Sequence, residues 1–354
     1  MGEVPGLHPN VDTVNMEKLV DLPSVARLSK NVIRILGQNP GKYTLQGTNT
    51  YLVGQGNPYV LVDTGQGIDS YPSHLKEALQ TYALDHEKQL VSDVIVTHRH
   101  HDHINGLHSV LTLVRAVWNE RRSSESSSIP FIPPRVHKIP LDTPDDGITE
   151  VLQSISADDV TPDPSGNLLH DLQEGQHLPV TSSDSQPAHL HVIHTPGHTP
   201  DSLCLYFRPD EALFTADTIL GQGTAVFEDL GEYMSSLRKL LDFYRGHHYT
   251  VLYPAHGPEV KEGANRIAMY LQHRVQREEQ IVKVLASNPA EQLRDKDTVW
   301  TTWDIVRTIY KDYPQNLWEP AAHSVDLHLR KLETEGRVRL RGGHGKDRQW
   351  LFVR

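Results

Sequence analysis

The chain has 354 residues and a single cysteine, Cys204. No disulfide can form within it, and nothing in its composition calls for an oxidising compartment. Cys204 lies in the alternating run Ser202-Leu203-Cys204-Leu205-Tyr206, where a buried structural thiol is expected and not a nucleophile. No stretch approaches the roughly 18 apolar residues of a membrane-spanning helix, which predicts no membrane partner. The first 30 residues lack an apolar signal core, and Glu3, Asp12, Glu17 and Asp21 argue against an import peptide. Gly6 stands where a myristoylation motif wants Ser or Thr. A cytoplasmic protein is the expectation. Basic charge is also short: 34 Lys and Arg face 45 Asp and Glu, for a net charge of -11. That argues against a surface coated for nucleic acid but leaves room for a local basic patch. The nucleophile-elbow pattern G-x-S-x-G is missing too, so no serine nucleophile of that kind is expected.

What is present is histidine, concentrated in one place. Thr97-His98-Arg99-His100-His101-Asp102-His103 follows the apolar run Val94-Ile95-Val96, which reads as a buried strand. Imidazole and carboxylate together suit Zn²⁺, Mn²⁺ or Fe²⁺. In a tight turn, His98 and His100 can reach one metal while Asp102 and His103 reach a second. A solvated histidine-rich loop is the bland alternative, and the repetition of the pattern downstream argues against it. Leu190-His191-Val192-Ile193 leads to His198. Ala212-Leu213-Phe214 leads to Asp217. Tyr249-Thr250-Val251-Leu252-Tyr253 leads to His256. Upstream, Tyr59-Val60-Leu61-Val62 ends in Asp63. Each apolar strand delivers a ligand-type residue at its end, as α/β sheets do when they build sites.

The remaining organisation follows from pattern. Val32–Leu36 reads as a strand, residues 50–54 and 59–62 as a hairpin, and residues 70–90 and about 104–120 as helices. Residues 121–134, rich in Ser and Pro, suggest an exposed insertion, and residues 141–188 read as short strands and polar turns. A long helix is expected from Gly263 to Ala286, striped by Ile267, Leu271, Val275, Ile281 and Leu285. Asn288-Pro289-Ala290 then marks a domain boundary, giving domains of 1–288 and 289–354. In the second, helices over 305–310 and 324–335 precede a hairpin, as in a winged helix. From His323 onward, eight Lys and Arg stand against four Asp and Glu.

The order and spacing of Asp63, His98-x-His100-x-Asp102-His103, His198, Asp217 and His256 resemble the metallo-β-lactamase superfamily across about residues 30–260. Asn39-Pro40-Gly41, Thr44 to Tyr51 and Gly223 to Leu230 narrow the resemblance to the β-lactamase-like protein 2 branch. Its relatives include thioesterases that accompany fungal polyketide synthases and a mitochondrial endoribonuclease. The resemblance implies an α/β fold, an αββα sandwich, with a small C-terminal winged-helix-like domain. It implies two divalent metal ions, with zinc favoured and manganese the alternative. His98, His100 and His198 would hold the first, Asp102, His103 and His256 the second, and Asp217 would bridge them. Asp63 would steady a ligand histidine. Asp102, Asp217 and Asp63 thus form the expected catalytic set. His101 is expected to face away. Asn49 and His273 are the candidate substrate contacts; a turn position for Asn49 and an exposed helix face for His273 are the alternatives.

The favoured function is release of a polyketide from an acyl carrier protein by thioester hydrolysis, with that carrier protein as partner. The alternatives are a metal-dependent endoribonuclease acting on single-stranded RNA and a glyoxalase-type hydrolase of small thioesters. A winged-helix binding protein with a vestigial metal site is the non-enzymatic reading, disfavoured because every ligand position holds a competent residue.

Overall fold

A computed structural model describes residues 18–83, 85–122, 129–183, 186–287 and 299–353. The chain divides into two units, one formed by Leu19–Phe227 with Glu232–Met269, the other by Tyr270–Arg354 with Glu228–Gly231.

The larger unit is built on two sheets. The first runs in chain order from β1 (Val25–Arg27) through β2 (Val32–Leu36), β3 (Asn49–Val53), β4 (Tyr59–Val62), β5 (Val91–Ile95) and β6 (Arg135–Lys138) to β7 (Leu169–Asp171). Its β1 to β4 pair antiparallel and its β4 to β7 parallel. The second contains β8 (His177–Val180), β9 (Ala188–His194), β10 (Leu203–Phe207), β11 (Ala212–Ala216), β12 (Val251–Pro254) and β13 (Val260–Lys261), ordered β13-β12-β11-β10-β9-β8.

Period-two alternation explains how one short strand serves two cores. Ile33 and Ile35 of β2 join Leu52, Leu61 and Val94 against helices α1 (Tyr71–Tyr82) and α3 (Leu107–Arg122). Val32 points the other way, with Val53, Val60 and Val62, into the layer shared with Leu190, Val192, Leu205 and Phe214 of the second sheet. Helix α5 (Leu230–Tyr244) covers the far face, where the Tyr233 hydroxyl donates to the Thr218 carbonyl and Ser236 to that of Pro196. The order helix, sheet, sheet, helix is the expected αββα sandwich.

Some elements depart from the sequence reading. The helix expected over 70–90 ends at Tyr82. Residues 141–188 contain a helix, α4 (Asp146–Gln153), capped by Asp145, whose side chain accepts from the Ile148 N–H; the Asp- and Pro-rich run before it reads as a turn because it is the cap. Helix α5 carried no expectation. The one-turn helix α2 (His101–Ile104) lies inside the histidine motif. Of the 121–134 insertion, residues 123–128 lie outside the described residues, as does the boundary at Asn288-Pro289-Ala290; Ile129 and Ile132 are exposed.

Helix α6 runs over Gly263–Ala286 as expected, and its residues from Tyr270 belong to the smaller unit. That unit adds β14 (Val299–Thr301), α7 (Thr302–Ile309), α8 (Trp318–Thr334), β15 (Val338–Gly342) and β16 (Gln349–Phe352), with sheet order β14-β16-β15. Thr301 and Asp304 form a reciprocal capping box that starts α7. Ile281, Leu285, Ile305, Val325, Leu329, Leu332 and Trp350 share one core. Helix α8 begins at Trp318, earlier than the expected Ser324, and β14 makes a third strand beside the expected hairpin.

Candidate metal centre

Strand ends bring the histidine motif and its distant partners together. β5 delivers Thr97 and His98, the loop carries His100, and α2 presents Asp102 and His103 on its buried side while His101 is exposed, as expected. Gly106 permits this: a Cβ there would lie 1.9 Å from the Thr64 carbonyl oxygen, so the joint between α2 and α3 closes only around glycine. His198 follows β9, Asp217 follows β11 and His256 follows β12. Asp63 and Ala216 both adopt positive φ, 60° and 45°, where their strands turn into the site.

The donor atoms form two nests. In the first, His98 Nε2 lies 3.1 Å from His100 Nδ1 and 3.2 Å from His198 Nε2, and the last two are 3.0 Å apart. Asp217 Oδ2 is 3.4 Å from His198 Nε2. In the second, Asp102 Oδ2 is 3.3 Å from His103 Nε2 and 3.3 Å from His256 Nε2. Asp217 Oδ1 lies 3.5 Å from that His103 nitrogen and 3.2 Å from that His256 nitrogen. Donors bound to one ion at about 2.0–2.1 Å must stand about 3 Å apart, so both nests have the spacing of a coordination shell.

The outer hydrogen bonds fix which ring nitrogen is bare. Asp63 Oδ2 accepts from His103 Nδ1 at 2.8 Å, leaving Nε2 without a hydrogen-bond partner although buried. Val226 O is 2.7 Å from His198 Nδ1. The Thr97 hydroxyl donates to Asp63 Oδ2 at 2.9 Å, so its lone pair faces His98 Nδ1 at 3.1 Å. With one proton per ring, each therefore turns its bare Nε2 inward; burial disfavours a second proton on His103, but Asp102 and Asp63 outweigh it, and a cation on Nε2 would take that proton's place. Asp217 Oδ1 is likewise buried without a hydrogen bond. Orphaned buried donors of this kind fit cations, and the His and Asp set suits a transition ion.

Charge tells the same story. Burial, then the neighbouring rings of His103 and His198, depress His98 well below the usual imidazole range. Burial and His198 bring His100 down to about 4. Burial opposes the charge on Asp102 and Asp217, but surrounding imidazoles outweigh it and keep both carboxylates ionised. Burial disfavours a proton on His256 too, yet Asp217 and Asp102 lift it to about 9. The carboxylates thus demand positive charge in the second nest, which a divalent cation supplies better than a proton.

Several supports were not legible in the sequence. Thr48 donates to Asp102 Oδ2 at 2.9 Å, and Asn39 holds Thr48 from both sides, donating to its hydroxyl and accepting its N–H. Only the motif-like string around Asn39 and Thr48 hinted at them. Asn49 donates to the carbonyls of Pro254 and Gly257 at 2.9 and 2.8 Å, so its amide grips the loop that carries His256. His273 lies on α6 in the smaller unit. Cys204 is fully buried, and burial pushes its thiol up to about 11, as a structural cysteine requires.

Residues 43–172 and 180–256 match the metallo-beta-lactamase superfamily, and residues 301–350 match the beta-lactamase associated winged helix domain. The chain belongs to the metallo-beta-lactamase superfamily. It is 39% identical over 321 residues to a beta-lactamase-like protein 2 homolog of Drosophila melanogaster, covering 90% of this chain and 93% of that one. It is 31% identical to the lactamase-like protein aptB of Emericella nidulans, covering 94% and 90%. Among solved structures, a beta-lactamase domain protein from Burkholderia ambifaria superposes with TM-score 0.65 at 16% identity, covering 94% of this chain and 95% of its own. That likeness is one of fold. As a member of this superfamily the protein is a hydrolase, and its His and Asp cluster is one that could bind metal ions. Among the described residues, no helix is long and apolar enough to cross a membrane.

Proposed function

We propose that the protein is a dinuclear metal-dependent hydrolase that cleaves an acyl thioester presented on a carrier protein. The observation that carries the reading is Asp217, whose two oxygens lie one in each donor nest. Under it, His98, His100 and His198 would hold one cation and Asp102, His103 and His256 the other, with Asp217 offering one oxygen to each. When bound, such a pair supplies a water of lowered pKa and stabilises charge developing on the substrate. The chain's own part is preparation. Asp63, Thr97 and the Val226 carbonyl turn three imidazoles inward, Thr48 holds Asp102, and Asn49 holds the His256 loop. With Cys204 protonated and buried, the reaction needs no side-chain nucleophile. A thioester suits this set because a thiol of pKa about 8.5 leaves without a strong acid to protonate it. Likeness to the fungal lactamase-like proteins, the group the sequence resembles among polyketide thioesterases, supports a polyketide acyl group.

Phosphodiester cleavage in single-stranded RNA is the second reading. The greater identity to the Drosophila melanogaster beta-lactamase-like protein 2 homolog favours it, since the sequence resemblance places a ribonuclease in that branch. Against it, basic side chains of the smaller unit are engaged by acids: Arg330 and Arg348 by Asp326, Lys331 by Glu278 and Glu335, Lys346 by Glu319. These pairs reduce the basic charge there that could track a phosphate backbone without removing it, since Arg339 and Arg341 are exposed on β15.

The deciding experiment offers the zinc- or manganese-loaded protein an acyl thioester on a carrier protein and, separately, single-stranded RNA. Thiol release with intact RNA is expected. RNA cleavage without thiol release overturns the first reading in favour of the second. Asp217→Ala should abolish whichever activity is found.

A further inference from the structure

A second histidine cluster lies away from the metal centre, on the face of the second sheet that bears α5. Strands β8 and β9 pair with His177 directly opposite His191. Their rings meet with His177 Nε2 and His191 Nδ1 2.8 Å apart. His189, two residues along β9, is on the same face by the period of a strand, and its ring stacks on His177 at 4.1 Å and 14°. Phe243, near the end of α5, packs 5.3 Å from His191 and stacks on His247 at 4.1 Å, closing one side of the group. All four histidines belong to the larger unit, and none is a donor in either nest described above.

We propose that His177 and His191, with His189 beside them, form a peripheral site for one late first-row divalent transition ion, of the copper(II) or zinc(II) class. Two nitrogens bound to one ion at about 2.0–2.1 Å and at a right angle lie about 2.9 Å apart, and this pair already stands at that separation. An imidazole-only set selects copper or zinc over magnesium and calcium, which want oxygen. Burial and the nearby His177 depress His189 and His191 below the ordinary imidazole range, so their lone pairs are available at neutral pH. In the ion-bound form each ring carries its single N–H on the nitrogen turned away from the ion, so the ring that donates in the present hydrogen bond changes tautomer. Because β8 is the edge strand of its sheet, an ion shared with β9 fastens that edge without any new backbone contact.

The test adds Cu²⁺ to the zinc-loaded protein and follows it by electron paramagnetic resonance and equilibrium dialysis, comparing wild type with His177→Ala and His191→Ala. One copper beyond the resident ions is expected, with nitrogen hyperfine structure in its spectrum. Affinity should fall about tenfold or more in either variant, at least as much as when a hydrogen-bond partner of a ligand is lost. Zinc content and hydrolytic rate should not change. Wild type and both variants binding copper alike would overturn the proposal, as would a wild type that takes up none. His191→Asn gives an independent check: it keeps a polar side chain at the position, removes the ring, and must also lose the copper signal.

Discussion

Asp63 accepts the Nδ1–H of His103 at 2.8 Å and, through its other oxygen, the backbone N–H of Thr97 at 2.8 Å. One carboxylate at the end of β4 therefore sets both the tautomer of a donor ring and the course of the loop that leaves β5. Asp63→Asn keeps the shape but removes the charge and one acceptor. Metal affinity should drop about 10–100-fold, as when carboxylate partners of ligating imidazoles are changed. Chelator competition measures this; an unchanged affinity would remove Asp63 from its assigned role.

Lys138 and Asp201 form an ion pair in which both side chains are almost fully enclosed. The second Asp201 oxygen accepts from the Thr199 hydroxyl, one residue past His198. Lys138→Met leaves the Asp201 charge uncompensated and should cost about 3–5 kcal/mol in urea unfolding. Lys138→Met combined with Asp201→Asn should recover much of that loss. A double variant no better than the single would show that the charge is not what matters.

Gly197 precedes His198 at φ 128°, and a Cβ there would lie 2.3 Å from the backbone of Tyr233. Gly197→Ala forces either the loop or α5 to move. A loss of about 2–3 kcal/mol is expected, comparable to overpacking a core, together with weaker metal retention on dialysis. Full stability with full metal content would contradict the close approach.

Glu278, 14% exposed, lies 2.7 Å from Lys331 Nζ and 3.8 Å from the buried ring of His328. Burial disfavours its charge, but His328 and Lys331 outweigh it and bring its carboxyl from 4.5 down to about 2. A group whose folded pKa is depressed contributes stability above its unfolded pKa and loses it as pH falls through the folded one. The smaller unit should therefore weaken between pH 4.5 and 2. Glu278→Gln should flatten that dependence by roughly 2–3 kcal/mol. Parallel unfolding curves of mutant and wild type across this window would refute it.

The candidate centre was legible because its donors sit in short, dense motifs at the ends of apolar strands. The strands themselves were plain from runs such as Val32–Leu36, and α6 from its stripe. What stayed hidden depends on partners far apart in sequence. Lys138 and Asp201, 63 positions apart, meet only after both sheets stack. Asn49 reads as a substrate contact or a turn residue until Pro254 and Gly257, more than 200 residues on, arrive beside it and take its amide. Helix α4 was obscured by its own cap, since Asp and Pro before a helix look like Asp and Pro in a loop. The end of α1 carries no sequence mark, because Ala83-Leu84 after Tyr82 continue a helical pattern and do not announce a stop as glycine does.

The two nests draw on residues from His98 to His256, and each mixes side chains from both sheets. A chain still on the ribosome cannot complete the first set until Asp217 has emerged, nor the second until His256 has, and neither before strands of the second sheet have docked. Capture of a full ion pair would therefore wait until most of the larger unit has been made, while the smaller unit could still be in synthesis.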